Sequence, residues 1–193
     1  MSVKPLYNNP LNKDEVDRIL DKNLVDEFDR LAGTPGFVLV PMPFQKVQEL
    51  ARAGTLESLG QLGRHPGHIR TYRTFRSKVL QDWTSIQDYI QWKVFEWPVS
   101  IAQDGRKSVT LPDKLPDPPQ VVWRPNDFPY YVADGISHDN IWSTTSLTTE
   151  QLTQVIDAKL GPQQKYAYFV NPGPLASIPG VWHAHCMHMA VQD

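Results

Sequence analysis

The chain has 193 residues, 40% of them hydrophobic and 21% charged, the size of one ordinary globular domain. A chain of this length buries roughly 70% of its unfolded surface, so it needs no disulfide or structural metal, and its single cysteine, Cys186, excludes a disulfide framework and a Cys-rich zinc site. Nineteen basic against 21 acidic side chains give a net charge of −2, which excludes a global pull toward nucleic acid or anionic membrane. Any such partner must use a local patch.

Residues 1–12 are polar and lack an apolar run with a small-residue cleavage site, and no stretch approaches the roughly 18 apolar residues of a membrane span. The expectation is a soluble, cytoplasmic protein without membrane contact. Seventeen prolines, clustered at 112–129 and 172–179, are interleaved with aromatics, which predicts long ordered loops rather than disorder.

In chain order, Asn12 with Glu15 forms a capping-box signature. Val16, Ile19, Leu20, Val25, Phe28 and Leu31 follow at helical spacing, and Gly33 is placed to end the run. Residues 37–40 are too short an apolar run to classify. Phe44, Val47, Leu50 and Ala51 predict a helix stopping at Gly54, and Leu56, Leu59 and Leu62 add another turn or two. Residues 69–97 predict two helices, one with Tyr72, Phe75 and Val79 on a face, the other opened by Thr84 and Gln87 and ended by Pro98. Residues 102–120 read as a loop.

The last third changes character. Residues 121–123 and 136–142 read as strands, Thr148 with Gln151 caps a helix closing at Gly161, and residues 166–170 and 181–190 read as two more strands. The expectation is one α+β domain over 1–193, mainly helical through 98. Those N-terminal helices pack on an antiparallel sheet with one helix over 121–190.

Three of the six histidines fall in residues 182–188. Alternation along a strand puts His183, His185 and Met187 on one face and Ala184, Cys186 and His188 on the other. Two imidazoles at adjacent same-face positions are expensive to bury without partners, which points to a cleft. Nucleophile, general base and two-histidine metal clip all fit, as does a pair of surface histidines on a half-exposed strand. Cys186 faces away from both imidazoles and reads as a buried thiol rather than a nucleophile.

A second cluster runs from Asn126, Asp127 and Tyr130 to Asp134, His138 and Asp139. Asn and Asp ahead of an aromatic-Pro pair make a rigid turn. His138 adds a third candidate imidazole, and Asp134 or Asp139 suits a cationic group such as a guanidinium. A third feature is a basic stripe from Arg64, His65 and His68 through Arg70, Arg73, Arg76 and Lys78. It reads either as a phosphate grip for RNA or a nucleotide, or as a solvated helix face. No Gly-rich phosphate loop, nucleophile elbow or metalloprotease helix is present, and no cofactor or metal is called for.

Several of these residues fall into a shared pattern. It comprises an Arg-containing helix (62–78), Trp97-Pro98, Asn126-Asp127-Phe128-Pro129-Tyr130, Gly135-Ile136, His138, Trp142, Asn171, Ser177 and His183-x-His185-x-Met187. Over residues 60–190 it resembles the fungal family of unknown function typified by the N-acetylglucosamine-induced protein. The chain departs from that pattern at Asp139-Asn140, where apolar strand residues are expected, and at the Trp-His opening of the last strand. The last 70 residues are also similar in layout to the histidine-triad superfamily, which implies His185 as a phosphate-attacking nucleophile, with Met187 where a third polar ligand would stand. A neighbouring branch, the arginine-containing cyclodipeptide synthases, implies joining of arginine to a second amino acid from aminoacyl-tRNA.

Three functions follow. The leading one is an acyl-transfer enzyme of the cyclodipeptide-synthase kind, with His185 as base and His183 or His138 as relay. Asn126, Asp127, Tyr130, Asp134, Asp139, Trp142 and Asn171 would bind substrate, and Arg70, Arg73, Arg76 and Lys78 would bind tRNA phosphates. The second is a phosphoryl or nucleotidyl transferase or hydrolase using His185 as nucleophile. The third is a non-catalytic sugar- or nucleotide-binding module.

Overall fold

A computed structural model describes residues 11–191 of the chain, so the reading of the N-terminal stretch lies almost wholly outside the described residues. Asn12 caps helix α1 (Lys13–Asp21) by accepting from the Glu15 amide at 2.9 Å. The expected continuation to Gly33 does not hold. Asn23 takes a left-handed conformation (φ 52°), and Val25–Leu31 is a 3-10 helix. It still buries Phe28 and Leu31 with Val16, Ile19 and Leu20.

Helix α2 (Phe44–Ala53) stops at left-handed Gly54, and the short α3 (Leu56–Leu59) follows. Helix α4 (Pro66–Asp82) begins with proline at its first position, where the missing N–H costs nothing. Helix α5 (Ile86–Phe95) is capped by Ser85 on the Asp88 amide, one residue beyond the expected Thr84. After Pro98 comes a hairpin, β1 (Val99–Ile101) with β2 (Lys107–Val109), turned at Gly105, so its turn and second strand fall within the 102–120 segment expected to be loop.

The main sheet holds β3 (Val121–Pro125), β4 (Ser137–Ser143), β5 (Gln164–Phe169) and β6 (His183–Ala190), in the order β3-β4-β6-β5 and antiparallel throughout. Helix α6 (Thr149–Leu160) follows β4 with the expected Thr148–Gln151 capping box. The fold is thus α+β, helices first and antiparallel sheet last. Among the described residues no helix is long and apolar enough to cross a membrane.

The register decides which side chains meet. His138 lies opposite Met187, Asn140 opposite His185 and Trp142 opposite His183, while Phe169 flanks His185 from β5. Directly paired residues share a face, so these side chains form one surface. The other face carries Ile141, Ala184 and Cys186 and is covered by Leu152 and Ile156 of α6. The first face has two separate covers. Val47 and Leu50 of α2 pack with Leu59 and Leu62 on Met187, Ala167 and Phe169. Val79 of α4 and Ile86, Ile90 and Val94 of α5 pack near Trp142 and Val181. Between these covers the sheet stays open as a cleft.

Candidate functional site

The cleft is narrow, with about 50 Å³ of free interior volume. Its apolar lining comes from Phe75, Ile86, Ile90, Val94, Trp142 and Ile178, and its polar lining from Arg64, Lys93, Arg124, Asn126, Asp127, Asn140, Ser177, His183 and His185. His183 and His185 share this face as their alternation requires. Met187 is also on it but fully buried beneath α2, so it is core. Cys186 is buried under α6, and burial pushes its thiol up to about 12, with the Asp139 carboxylate adding to the effect.

His138, His185 and Asn171 form a buried relay. His138 Nδ1 lies 3.0 Å from the Tyr130 amide, and its Nε2 lies 2.9 Å from His185 Nδ1. The Asn171 side-chain amide lies 3.0 Å both from His185 Nε2 and from the Tyr130 hydroxyl. A backbone N–H can only donate, so His138 Nδ1 accepts and its proton sits on Nε2. That proton is donated to His185 Nδ1, which leaves the His185 proton on Nε2 facing Asn171. The Asn171 Oδ1, otherwise buried without a partner, is the atom that His185 N–H and Tyr130 O–H require, which sets the orientation of the amide.

Burial pulls His138 down to about 3, with the Arg64 charge adding to the effect. His185 is held well below the usual histidine range by burial first, then by His138, His183 and Arg64. Both rings are neutral, and the His185 ring lies nearly parallel to those of Tyr130 and Phe169, at 5.4 and 5.0 Å.

The expectation that His185 is the proton-accepting base therefore needs correction, because both of its nitrogens are already bonded. His183 differs. Its Nδ1 lies 2.9 Å from the Val181 carbonyl, which can only accept. The neutral ring then carries its proton on Nδ1 and leaves the Nε2 lone pair without a partner among the described residues. Burial lowers its affinity for a proton, partly offset by that carbonyl, and its ring stacks on Trp142 at 4.5 Å. His183 is the imidazole in the cleft with a free acceptor.

The other expected residues divide. Asn126 lines the cleft, and its Oδ1 accepts from the Phe128 amide at 2.9 Å, the expected rigid turn. Asp127 lines it too, paired with Lys93 at 2.6 Å. Trp142 is part of the lining, whereas Tyr130 and Asn171 sit behind His185 and hold it. Asp139 does not reach the cleft. It faces away from His138, accepting from Trp123 Nε1 at 2.6 Å and lying 3.0 Å from His188 Nε2. Asp134 is exposed in the turn before β4 and is not part of the lining.

The basic stripe is also divided. Arg70 and Lys78 are exposed, Arg73 pairs with Asp17 at 2.7 Å, and Arg76 stacks on Tyr72 at 5.7 Å. Arg73 and Arg76 line a surface groove along α4 that shares Arg64 and Tyr72 with the cleft.

Sequence reasoning missed Lys93, Arg124, Asn140 and Ser177 as lining residues. Asn140 was within reach, since it is two residues from His138 on the same strand. Arg64 was seen only as one end of the stripe. Its placement depends on tertiary contacts. Its amide donates to Gly36 O and its carbonyl accepts from Val38, each at 3.0 Å, while Gly63 O accepts from Tyr131 at 2.8 Å. A Cβ on Gly63 would fall inside the van der Waals envelope of the Gly36 carbonyl, so only glycine permits this approach.

A comparison with curated proteins finds no match. Among solved structures, the crystal structure of HTC1 aligns over 78% of this chain and 86% of that chain, at a TM-score of 0.52 and 19% identity. That likeness concerns the fold. The model of a family described as "Protein of unknown function (DUF3605)" matches residues 43–162, from α2 through α6, which takes in Arg64, Asn126, His138, Asn140 and Trp142. The chain belongs to this DUF3605 family.

Proposed function

We propose that the protein is an acyl-transfer enzyme that joins two aminoacyl groups delivered as tRNA esters, an arginine-containing cyclodipeptide synthase. The observation that carries this reading is the free Nε2 of neutral His183 in the cleft. Peptide-bond formation from two esters needs a group that takes a proton from the attacking amine and returns it to the leaving hydroxyl, and such help is worth roughly 10²–10⁴-fold.

In this mechanism the α-amine of one aminoacyl ester attacks the ester carbonyl of the other. The amine proton passes to His183 Nε2, the ester C–O bond breaks, and the same proton goes to the released ribose oxygen. A second, intramolecular attack on the remaining ester closes the six-membered ring and frees the second tRNA. His138, His185 and Asn171 keep the neighbouring wall neutral and rigid. Asp127, the carboxylate of the lining, takes over the guanidinium role first considered for Asp134 and Asp139. The groove along α4 with Arg73 and Arg76 offers a path for the tRNA acceptor end.

A histidine-nucleophile phosphoryl transfer fits less well, because His185 has no nitrogen free to attack. A purely binding role remains the outcome if no product forms. The test is expression in a bacterial host, whose charged tRNA pool supplies every substrate, with mass spectrometry of the medium for new arginine-containing diketopiperazines. The wild type should form them and His183→Ala should lower the yield by about 10²-fold while keeping its fold. Absence of such products from the folded wild type, or yield within twofold of wild type in His183→Ala, would refute the reading.

A further inference from the structure

Two charged side chains of the cleft, Arg64 and Arg124, have no partner of opposite charge among the described residues, and Arg124 is engaged by the Lys93 carbonyl. Arg64 lies over the rings of both Tyr72 and Tyr130, its guanidinium carbon 5.1 and 5.0 Å from the two centroids. Its Nε donates to the Phe128 carbonyl at 2.7 Å. Among the described residues no carboxylate pairs with it, whereas Arg18, Arg30, Arg73 and Arg106 all have acidic partners. With Nε occupied and two tyrosine rings against it, the guanidinium keeps the four N–H groups of its two terminal nitrogens without an acceptor among the described residues. That edge is the fork that recognises an oxyanion in the plane.

The surroundings point the same way. Arg64, Lys93 and Arg124 line the cleft with Asp127 as the one carboxylate. Asp127 is engaged by Lys93, and Arg124 donates to the Lys93 carbonyl at 2.6 Å. The lining therefore carries an excess of two positive charges, with Arg64 the most deeply set. Burial disfavours its charged form, a cost that a bound anion would offset. Its backbone is clamped on both sides by Gly36 and Val38, so the fork is held in place before any ligand arrives. Arg64 also stands where the cleft meets the α4 groove, and Tyr72 separates it from Arg76.

We propose that Arg64 is an anion receptor that grips the phosphate of a nucleotide-bearing substrate at the junction of groove and cleft. The choice of a phosphate rather than a carboxylate rests on the acyl-transfer reading, in which the aminoacyl group enters on the 3′-terminal nucleotide of an RNA. A phosphate held here would leave the ester free to extend toward His183, and the aromatic walls would accept the nucleoside.

The probes are adenosine monophosphate, adenosine, inorganic phosphate and acetate, titrated into the full chain by calorimetry at low salt. Adenosine monophosphate should bind at least about 10-fold tighter than adenosine, the usual worth of hydrogen bonds to a charged group. Arg64→Gln should abolish that difference, and Arg64→Lys, which keeps charge without the fork, should retain only part of it. Circular dichroism checks each variant's fold. If Arg64→Gln does not fold, Arg64→Lys and the wild-type comparison decide the matter.

Equal binding of adenosine and its monophosphate, or an advantage that survives substitution of Arg64, would overturn the proposal. Acetate competing as well as inorganic phosphate would assign the fork to a carboxylate and overturn the phosphate. These outcomes are independent of diketopiperazine formation. Product without Arg64-dependent phosphate binding removes only the receptor, and phosphate binding without product removes only the acyl-transfer chemistry.

Discussion

Lowering the pH from 7.5 to 5 should destabilise this protein earlier than ordinary carboxylate titration would. His138 is neutral in the fold, held down to about 3 by burial and the nearby Arg64, and returns to about 6.5 when the chain unfolds. A histidine whose folded value is depressed contributes stability that is complete above the unfolded value. That stability is lost as pH falls from about 6.5 toward the folded value, because only the unfolded chain takes up the proton. At pH 5 the unfolded ring has gained about 1.5 pH units of protonation that the folded ring has not. At about 1.4 kcal/mol per unit, His138 alone costs about 2 kcal/mol. His185 is shifted in the same direction by the same burial and adds to the loss. Urea unfolding at the two pH values, followed by tryptophan fluorescence, reads the difference. His138→Gln should begin less stable, because the bonds to Tyr130 and His185 are weakened, but should lose about 2 kcal/mol less on acidification. A wild-type stability at pH 5 within about 0.5 kcal/mol of that at pH 7.5 would refute a neutral, desolvated relay. So would an equal loss in His138→Gln.

Asp139→Asn should lower stability by about 1–3 kcal/mol, since a neutral amide oxygen replaces the charged oxygen that Trp123 and His188 share and weakens both contacts. On the proposed acyl-transfer reading it should leave the product spectrum unchanged, because the side chain lies on the α6 face of the sheet. Altered arginine selection with unchanged thermal stability would return Asp139 to the cleft. Alanine at Arg70, Arg73 and Arg76 together should weaken tRNA binding and reduce the slope of log affinity against log salt by at most about 3. An unchanged slope would make the stripe a solvated face, with Arg73 serving only its ion pairs to Asp17 and Asp21.

The fold was legible wherever a local rule was enough. The Asn12 and Thr148 caps, the Gly54 stop and the alternation through residues 183–188 each depend on neighbours within a few positions, and each agrees with the structure. Asp139 shows a rule available but unused. The alternation that separates His185 from Cys186 also separates His138 from Asp139, and applying it to β4 would have turned Asp139 away and brought Asn140 in. The hairpin of β1 and β2 was signalled only by Asp104-Gly105, because its three-residue strands are too short for a periodic pattern. The break at Asn23 gave no signal, since Val25, Phe28 and Leu31 keep helical spacing while the backbone tightens to a 3-10 helix.

What no local rule could supply is the division of labour between the histidines. Sequence spacing treats His183 and His185 as equivalent, and the difference between them is made by what lies opposite each nitrogen. His185 meets His138 from β4 and Asn171 from the loop after β5, so its two nitrogens complete a network that begins at a backbone amide. His183 meets one backbone carbonyl two residues back, and among the described residues no hydrogen-bonding group reaches its other nitrogen. A buried imidazole with both nitrogens satisfied rigidifies a wall. One with a single satisfied nitrogen has a fixed tautomer and an open lone pair, which is the condition for a general base. On the proposed acyl-transfer reading the chemistry of the cleft turns on His183, with His185 as the residue that holds the sheet face beside it.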